Sequence, residues 1–199
     1  MTAPRELYLR ALDRLSTVVD AVPADCWDVP TPCPDWSARQ LLGHLVDGQH
    51  QVLAMATGVG SRPPVTDSAA LGALGGRAPA ATWSEVRQQI TRALAGIAPS
   101  TSVATPLGSQ TVGQLLGIAL IEPVVHAWDL ATATGQAADL DPDAVRALLP
   151  GVLALGDRLQ ATGMYRAAVR VPGQAPPQDQ LLAAVGRNPN PSSTHDPAT

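Results

Sequence analysis

A chain of 199 residues, 45% hydrophobic and 15% charged, is long enough to bury a core and too apolar to remain unfolded. Its net charge is −4, it has no lysine and its arginines are scattered, so no basic stripe exists to hold a phosphate backbone and no nucleic-acid partner is expected. No unbroken apolar run reaches the roughly 18 residues of a membrane span, and the start lacks a signal-peptide core; the reading is a cytoplasmic protein without a membrane partner.

The first predicted helix runs from about Pro4 to Ala21, with Leu7, Leu12, Leu15, Val18 and Val19 on one stripe. Pro30, Pro32 and Pro34 then forbid helix and favour an extended, turn-rich linker. Ser37 with Gln40 three residues later is a capping box that opens a second helix, Ala38 to about Thr57. From Gly58 to Ala81 the chain shows no period and reads as a long surface connection.

Thr82 with Glu85 reads as another capping box, starting a third helix that lasts to about Ile97. A short extended hairpin is expected around Val103 and Leu107. Thr111 with Gln114 opens a fourth helix, Val112 to about Thr134, closed by Gly135. Asp141-Pro142 starts a fifth helix to about Ala161, and a short one is expected from Gln178 to Val185. The domain reading is one unit over residues 1–189 with a disordered tail at 190–199; His195 lies in that tail and is set aside. No strand-rich region can build a sheet, so the class is all-α with four main helices and long crossovers.

Polar groups on two of these helices point inward. Glu122 and His126 are i and i+4, one turn apart on a face that also carries Leu115 and Ala119. Asp129 follows His126 by three and belongs to that face. Pro123 removes one backbone hydrogen bond and predicts a kink that frees the Ala119 carbonyl. On the second helix His44 sits between Leu41 and Leu45 on the core stripe, with Gly43 letting a neighbour approach.

Taken singly, an inward histidine is more often a hydrogen-bonded core residue, and a Glu-His pair one turn apart is often a simple ion pair. Two helices presenting histidines to one interior, with Glu122 as third donor, match an open catalytic metal site with one position left for water or substrate. Asp129 is the candidate for orienting His126, while Asp47 reads as a solvated helix flank. His50 lies off the His44 face and is expected to be exposed; Trp36 and Trp128 are expected to fill core. Cys26 and Cys33 match neither a redox pair nor a zinc knuckle and read as two buried thiols.

"TPCPDWSARQLLGHLV", followed downstream by "EPVVHAWDLATATG" and "LLAAVGRNP", resembles the actinobacterial metal-binding branch of the DinB-like superfamily over about residues 5–189. That superfamily includes the N-terminal domain of mycothiol-dependent maleylpyruvate isomerase. The resemblance implies a DinB-like four-helix bundle with long crossover connections. It implies a divalent metal, usually Zn2+, held at the positions of His44, Glu122 and His126; the donor set suits Ni2+ or Fe2+ as well. It also implies a low-molecular-weight thiol such as mycothiol, activated for S-transfer to, or isomerisation of, a small electrophilic substrate. Two other readings stay open: a thiol-independent Lewis-acid hydrolase or tailoring isomerase or cyclase, and a non-catalytic metal-binding module. A homodimer is compatible with all three.

Overall fold

Helix α1, Pro4–Asp20, starts on a proline whose missing N–H costs nothing at a helix start. It buries Leu7, Tyr8, Leu12, Leu15 and Val19, the predicted stripe almost residue for residue. The structure, a computed structural model, describes residues 3–33, 35–161 and 164–190. It divides into two compact units, residues 1–139 and 140–199. The tail reading for 191–199, His195 included, and the prediction at Pro34 lie outside the described residues.

In the first unit, α2 spans Ala38–Ala56, and its N-terminus carries the expected capping box, Ser37 accepting from the Gln40 amide. α4, Pro79–Ala95, packs against both α1 and α2. The capping box expected at Thr82 does not form: Pro79 already starts the helix, and the Thr82 hydroxyl instead donates to the Ala78 carbonyl at 3.2 Å. The fourth bundle helix is broken into α5, Val112–Ala119, and α6, Ile121–Ala133, both packed on α1 and α2. The break falls at Leu120, where in an unbroken helix the Pro123 ring would collide with the Ala119 carbonyl, and the next bond, Val124 N–H to Leu120 O, is stretched to 3.4 Å. By length and composition Val112–Ala133 could cross a membrane. In this fold its apolar residues Leu115, Leu116, Val124, Val125 and Leu130 are buried in the bundle.

The core lies between these four helices. Leu12 and Leu15 of α1, Leu41 and Leu45 of α2, Ile90 and Leu94 of α4, and Leu116 and Leu130 have essentially no exposed surface. Each such leucine contributes about 1.5–3 kcal/mol relative to an exposed one. Buried polar tips are satisfied across helices: Tyr8 donates to Gln49 Oε1 at 2.8 Å, and Trp83 Nε1 donates to Ser16 Oγ at 2.8 Å. The all-α, DinB-like reading therefore holds, with one predicted hairpin. β1, Ser102–Thr105, pairs antiparallel with β2, Gly108–Thr111, in the register Ser102 to Thr111.

The connection after α2 departs from expectation. It contains a helix, α3, Ser68–Gly75, capped by Asp67 and laid against α2. Backbones meet there: a Cβ on Gly43 would sit 1.9 Å from the Leu71 carbonyl oxygen, and one on Gly75 would sit 2.4 Å from that of Arg39. Asp47, read as a solvated flank, is buried. It pairs with Arg62 and accepts the Val65 amide at 3.0 Å, which straps the connection onto α2.

In the second unit α7, Pro142–Leu155, is capped by Asp141 and ends at Gly156, whose φ of +49° breaks the single long helix expected. α8, Asp157–Ala161, follows, and α9, Pro177–Ala184, packs on α7. Leu181, Leu182, Ala183, Val185 and Arg187 of the "LLAAVGRNP" stretch are buried.

Candidate metal centre

The capping box at Ser37 fixes where α2 begins, and His44 projects from its second turn. The linker before it folds into a tight turn around Thr31. The Thr31 hydroxyl lies 2.9 Å from the Trp36 carbonyl oxygen and 3.0 Å from that of Cys33, and it accepts the Cys33 amide at 3.2 Å. The Trp36 amide donates to the Cys33 carbonyl at 2.9 Å. Cys33 and Trp36 are thereby held at the mouth of the bundle rather than left on a loose chain.

Glu122 and His126 come from the first two turns of α6. One carboxylate oxygen, Glu122 Oε2, lies 2.9 Å from His44 Nε2 and 3.2 Å from His126 Nε2. The imidazoles meet edge to face, centroids 5.1 Å apart, and Trp36 lies against His44 at 4.6 Å. Trp36 thus walls the site instead of filling core, whereas Trp128 is buried as expected. His50 is half-buried rather than exposed.

The far nitrogen of His126, Nδ1, faces Asp129 Oδ2 at 2.8 Å. Exposure is graded across the cluster: the side chains of His44 and Glu122 keep 25% and 36% of their surface, while His126 keeps 8% and Asp129 none. The site therefore opens on the His44–Glu122 side and is closed behind Asp129. Sequence reasoning missed Cys33. Its Sγ lies 3.3 Å from Asp129 Oδ2 and 3.9 Å from His126 Nδ1. Nothing local signals this, because the partners are 93 and 96 residues away.

The donor chemistry fits a cation. His44 Nε2, a Glu122 oxygen and a His126 nitrogen lie within 4.8 Å of one another. Donors around one tetrahedral zinc stand about 3.3–3.8 Å apart, given bonds of roughly 2.0–2.3 Å. Small adjustments would admit an ion, and Asp129 already occupies the outer nitrogen of His126, as such partners do for ligating histidines.

In the metal-free protein the cluster holds itself together by charge. Burial pushes the Glu122 carboxyl upward, but hydrogen bonds and charge from His126 and His44 outweigh it and leave it well below the usual carboxylate range. Burial likewise works against a charged His126, yet its bonds to Asp129, Cys33 and Glu122 together raise it well above its ordinary value.

The sign of the pH dependence follows. The Glu122 contribution is present above its unfolded value of 4.5 and is lost as pH falls through the lower folded one. The His126 contribution is complete below its unfolded value of 6.5 and is lost as pH rises through the higher folded one. Chelator-treated protein is therefore expected to melt highest between these two values and progressively lower above neutrality. Thermal melts across pH 4–9 check this; a melting temperature that rises steadily with pH would contradict it.

The mycothiol maleylpyruvate isomerase N-terminal domain family matches residues 8–131, more than half of the chain. The chain belongs to this family. Two uncharacterized proteins of Mycobacterium tuberculosis, from strains CDC 1551 and H37Rv, are each 33% identical over 186 residues, covering 92% of this chain and 97% of theirs. Two solved structures share the fold of this family member at low identity. A histidine-to-alanine mutant of mycothiol-dependent maleylpyruvate isomerase matches at TM-score 0.58 and 14% identity, over 85% of this chain and 77% of that one. A second crystal structure of that enzyme matches at TM-score 0.54 and 15% identity with the same coverage.

Proposed function

We propose that the protein is a zinc-dependent enzyme that uses a low-molecular-weight thiol of the mycothiol class for S-transfer to, or isomerisation of, a small electrophile. His44, Glu122 and His126 hold the cation. The observation that carries the reading is the convergence of both imidazole Nε2 atoms on one Glu122 oxygen, on the exposed side of the cluster. Family membership supports the thiol, since the family description names mycothiol and maleylpyruvate isomerase.

Bound there, the cation supplies the positive charge that keeps a thiol as thiolate at neutral pH. The chain's own residues do the rest. His44 and His126 offer nitrogen lone pairs, and Glu122 offsets part of the added charge. Asp129 accepts a hydrogen bond from His126 Nδ1–H, which leaves Nε2 directed at the open side. Trp36, against the His44 ring, excludes water from one flank of the space a substrate would enter.

Two experiments test this. Small-molecule electrophiles of the maleylpyruvate type should turn over only with zinc and added mycothiol; turnover unaffected by omitting the thiol would favour a Lewis-acid hydrolase or cyclase. Asp129→Asn keeps the shape but loses the carboxylate charge. It is expected to weaken zinc roughly 10–100-fold with the ligands intact. Unchanged affinity in competition with a chelator would remove Asp129 from its positioning role.

A further inference from the structure

Cys33 has no part in the proposed chemistry, yet its thiol stands among donor atoms. Its Sγ is 3.3 Å from Asp129 Oδ2 and 3.9 Å from His126 Nδ1, and the last two are 2.8 Å apart. We propose that Cys33, Asp129 and His126 Nδ1 form a second cation site, distinct from the His44–Glu122 side and suited to a thiophilic divalent ion such as Zn2+ or Cd2+.

Three observations carry this. The donor atoms lie within 4.8 Å of one another; the 3.3 Å separation falls within the spacing of about 3.3–3.8 Å expected around one tetrahedral zinc, the 3.9 Å one lies just beyond it, and the 2.8 Å pair must open by roughly 0.5 Å to admit the ion. The set is chemically mixed in the way such ions favour: a soft sulfur, an imidazole nitrogen and a carboxylate. The donors are also held in place, since Asp129 is fully buried and the Thr31 hydrogen bonds anchor the turn that carries Cys33.

Cys33 S–H and His126 Nδ1–H both face one Asp129 oxygen. Binding exchanges those two protons, released to solvent, for one dication, so charge and atoms balance. One ring serves both sites, Nε2 toward Glu122 and Nδ1 toward Asp129. The second ion is therefore held more weakly than the first, because filling both positions strips both ring nitrogens of protons.

The test titrates metal-free full-length protein with Co2+ and no added thiol, following thiolate-to-cobalt charge-transfer absorption in the near ultraviolet. Wild type should bind two equivalents, with the thiolate band growing on the weaker one. Cys33→Ser should lose the band and one equivalent. Cys26→Ser should keep both, so the result does not depend on one variant folding. His44→Ala should lose the band-free equivalent and retain the band, which separates this site from the proposed catalytic one. A wild-type protein without the band overturns the proposal, as does a band that survives Cys33→Ser or disappears in Cys26→Ser. A single equivalent that carries the band also overturns it, because Cys33 would then serve the same ion as His44.

Discussion

His126→Ala is expected to leave the protein without tightly bound divalent cation and without thiol-dependent activity. Its Nε2 faces Glu122 on the open side and its Nδ1 faces Asp129 on the closed side, so one deletion removes a donor from both clusters. Affinity should fall beyond the roughly 10–100-fold that outer partners of a ligand are worth. Stability should fall too. Asp129 has no exposed surface, and losing the imidazole it faces costs about 3–5 kcal/mol by the usual penalty for splitting a buried charge pair. His44→Ala separates the two effects. Its ring is a quarter exposed and its loss leaves the His126–Asp129 pair standing. That variant should lose the tight equivalent while melting close to wild type. Elemental analysis and thermal melts of both variants decide the matter; a tight equivalent surviving in either one excludes that residue as a ligand.

The parts of the fold that were legible are those set by local chemistry. Capping boxes at Ser37 and Thr111 placed the starts of α2 and the fourth bundle helix, and the apolar stripe of α1 placed its buried face. Pro123 announced the break near Leu120 because a ring without an N–H disrupts the preceding turn wherever it falls. Helical periodicity also put Glu122, His126 and Asp129 on one face.

What stayed hidden depended on tertiary paths. After Ser68, α3 is made of alanine, glycine and leucine with little difference between its faces, so it exists because Gly43 and Gly75 let it lie on α2. Asp47 looked like a solvated acid because Arg62, its partner, sits in a stretch with no period. Cys33 joined the site only once a proline-rich turn had folded back over α6.

Gly43→Ala is the sharpest test of how that architecture supports the site. The added methyl would lie 1.9 Å from the Leu71 carbonyl oxygen and 2.7 Å from its carbon, and neither is a side chain that can rotate away. Overpacking usually costs about 1–3 kcal/mol, and a backbone obstacle puts this case at the upper end. Relief must come from one helix moving. α2 is held by its cap and by α4, α5 and α6, whereas α3 has eight residues, so α3 should give way and carry buried Leu71 with it. His44, next in the chain, is positioned by α2 and should keep its cation. The expected variant is thus about 3 kcal/mol less stable yet still binds zinc. Gly48→Ala on the same helix is the matched control: nothing lies within 4 Å of its new methyl, and alanine's helix preference should stabilise it by up to about 1 kcal/mol. Denaturant unfolding and a zinc titration of both variants read out the difference. Equal stability of the two would mean α3 does not rest on Gly43, whereas loss of zinc in Gly43→Ala would mean His44 is positioned by α3 and not by the bundle.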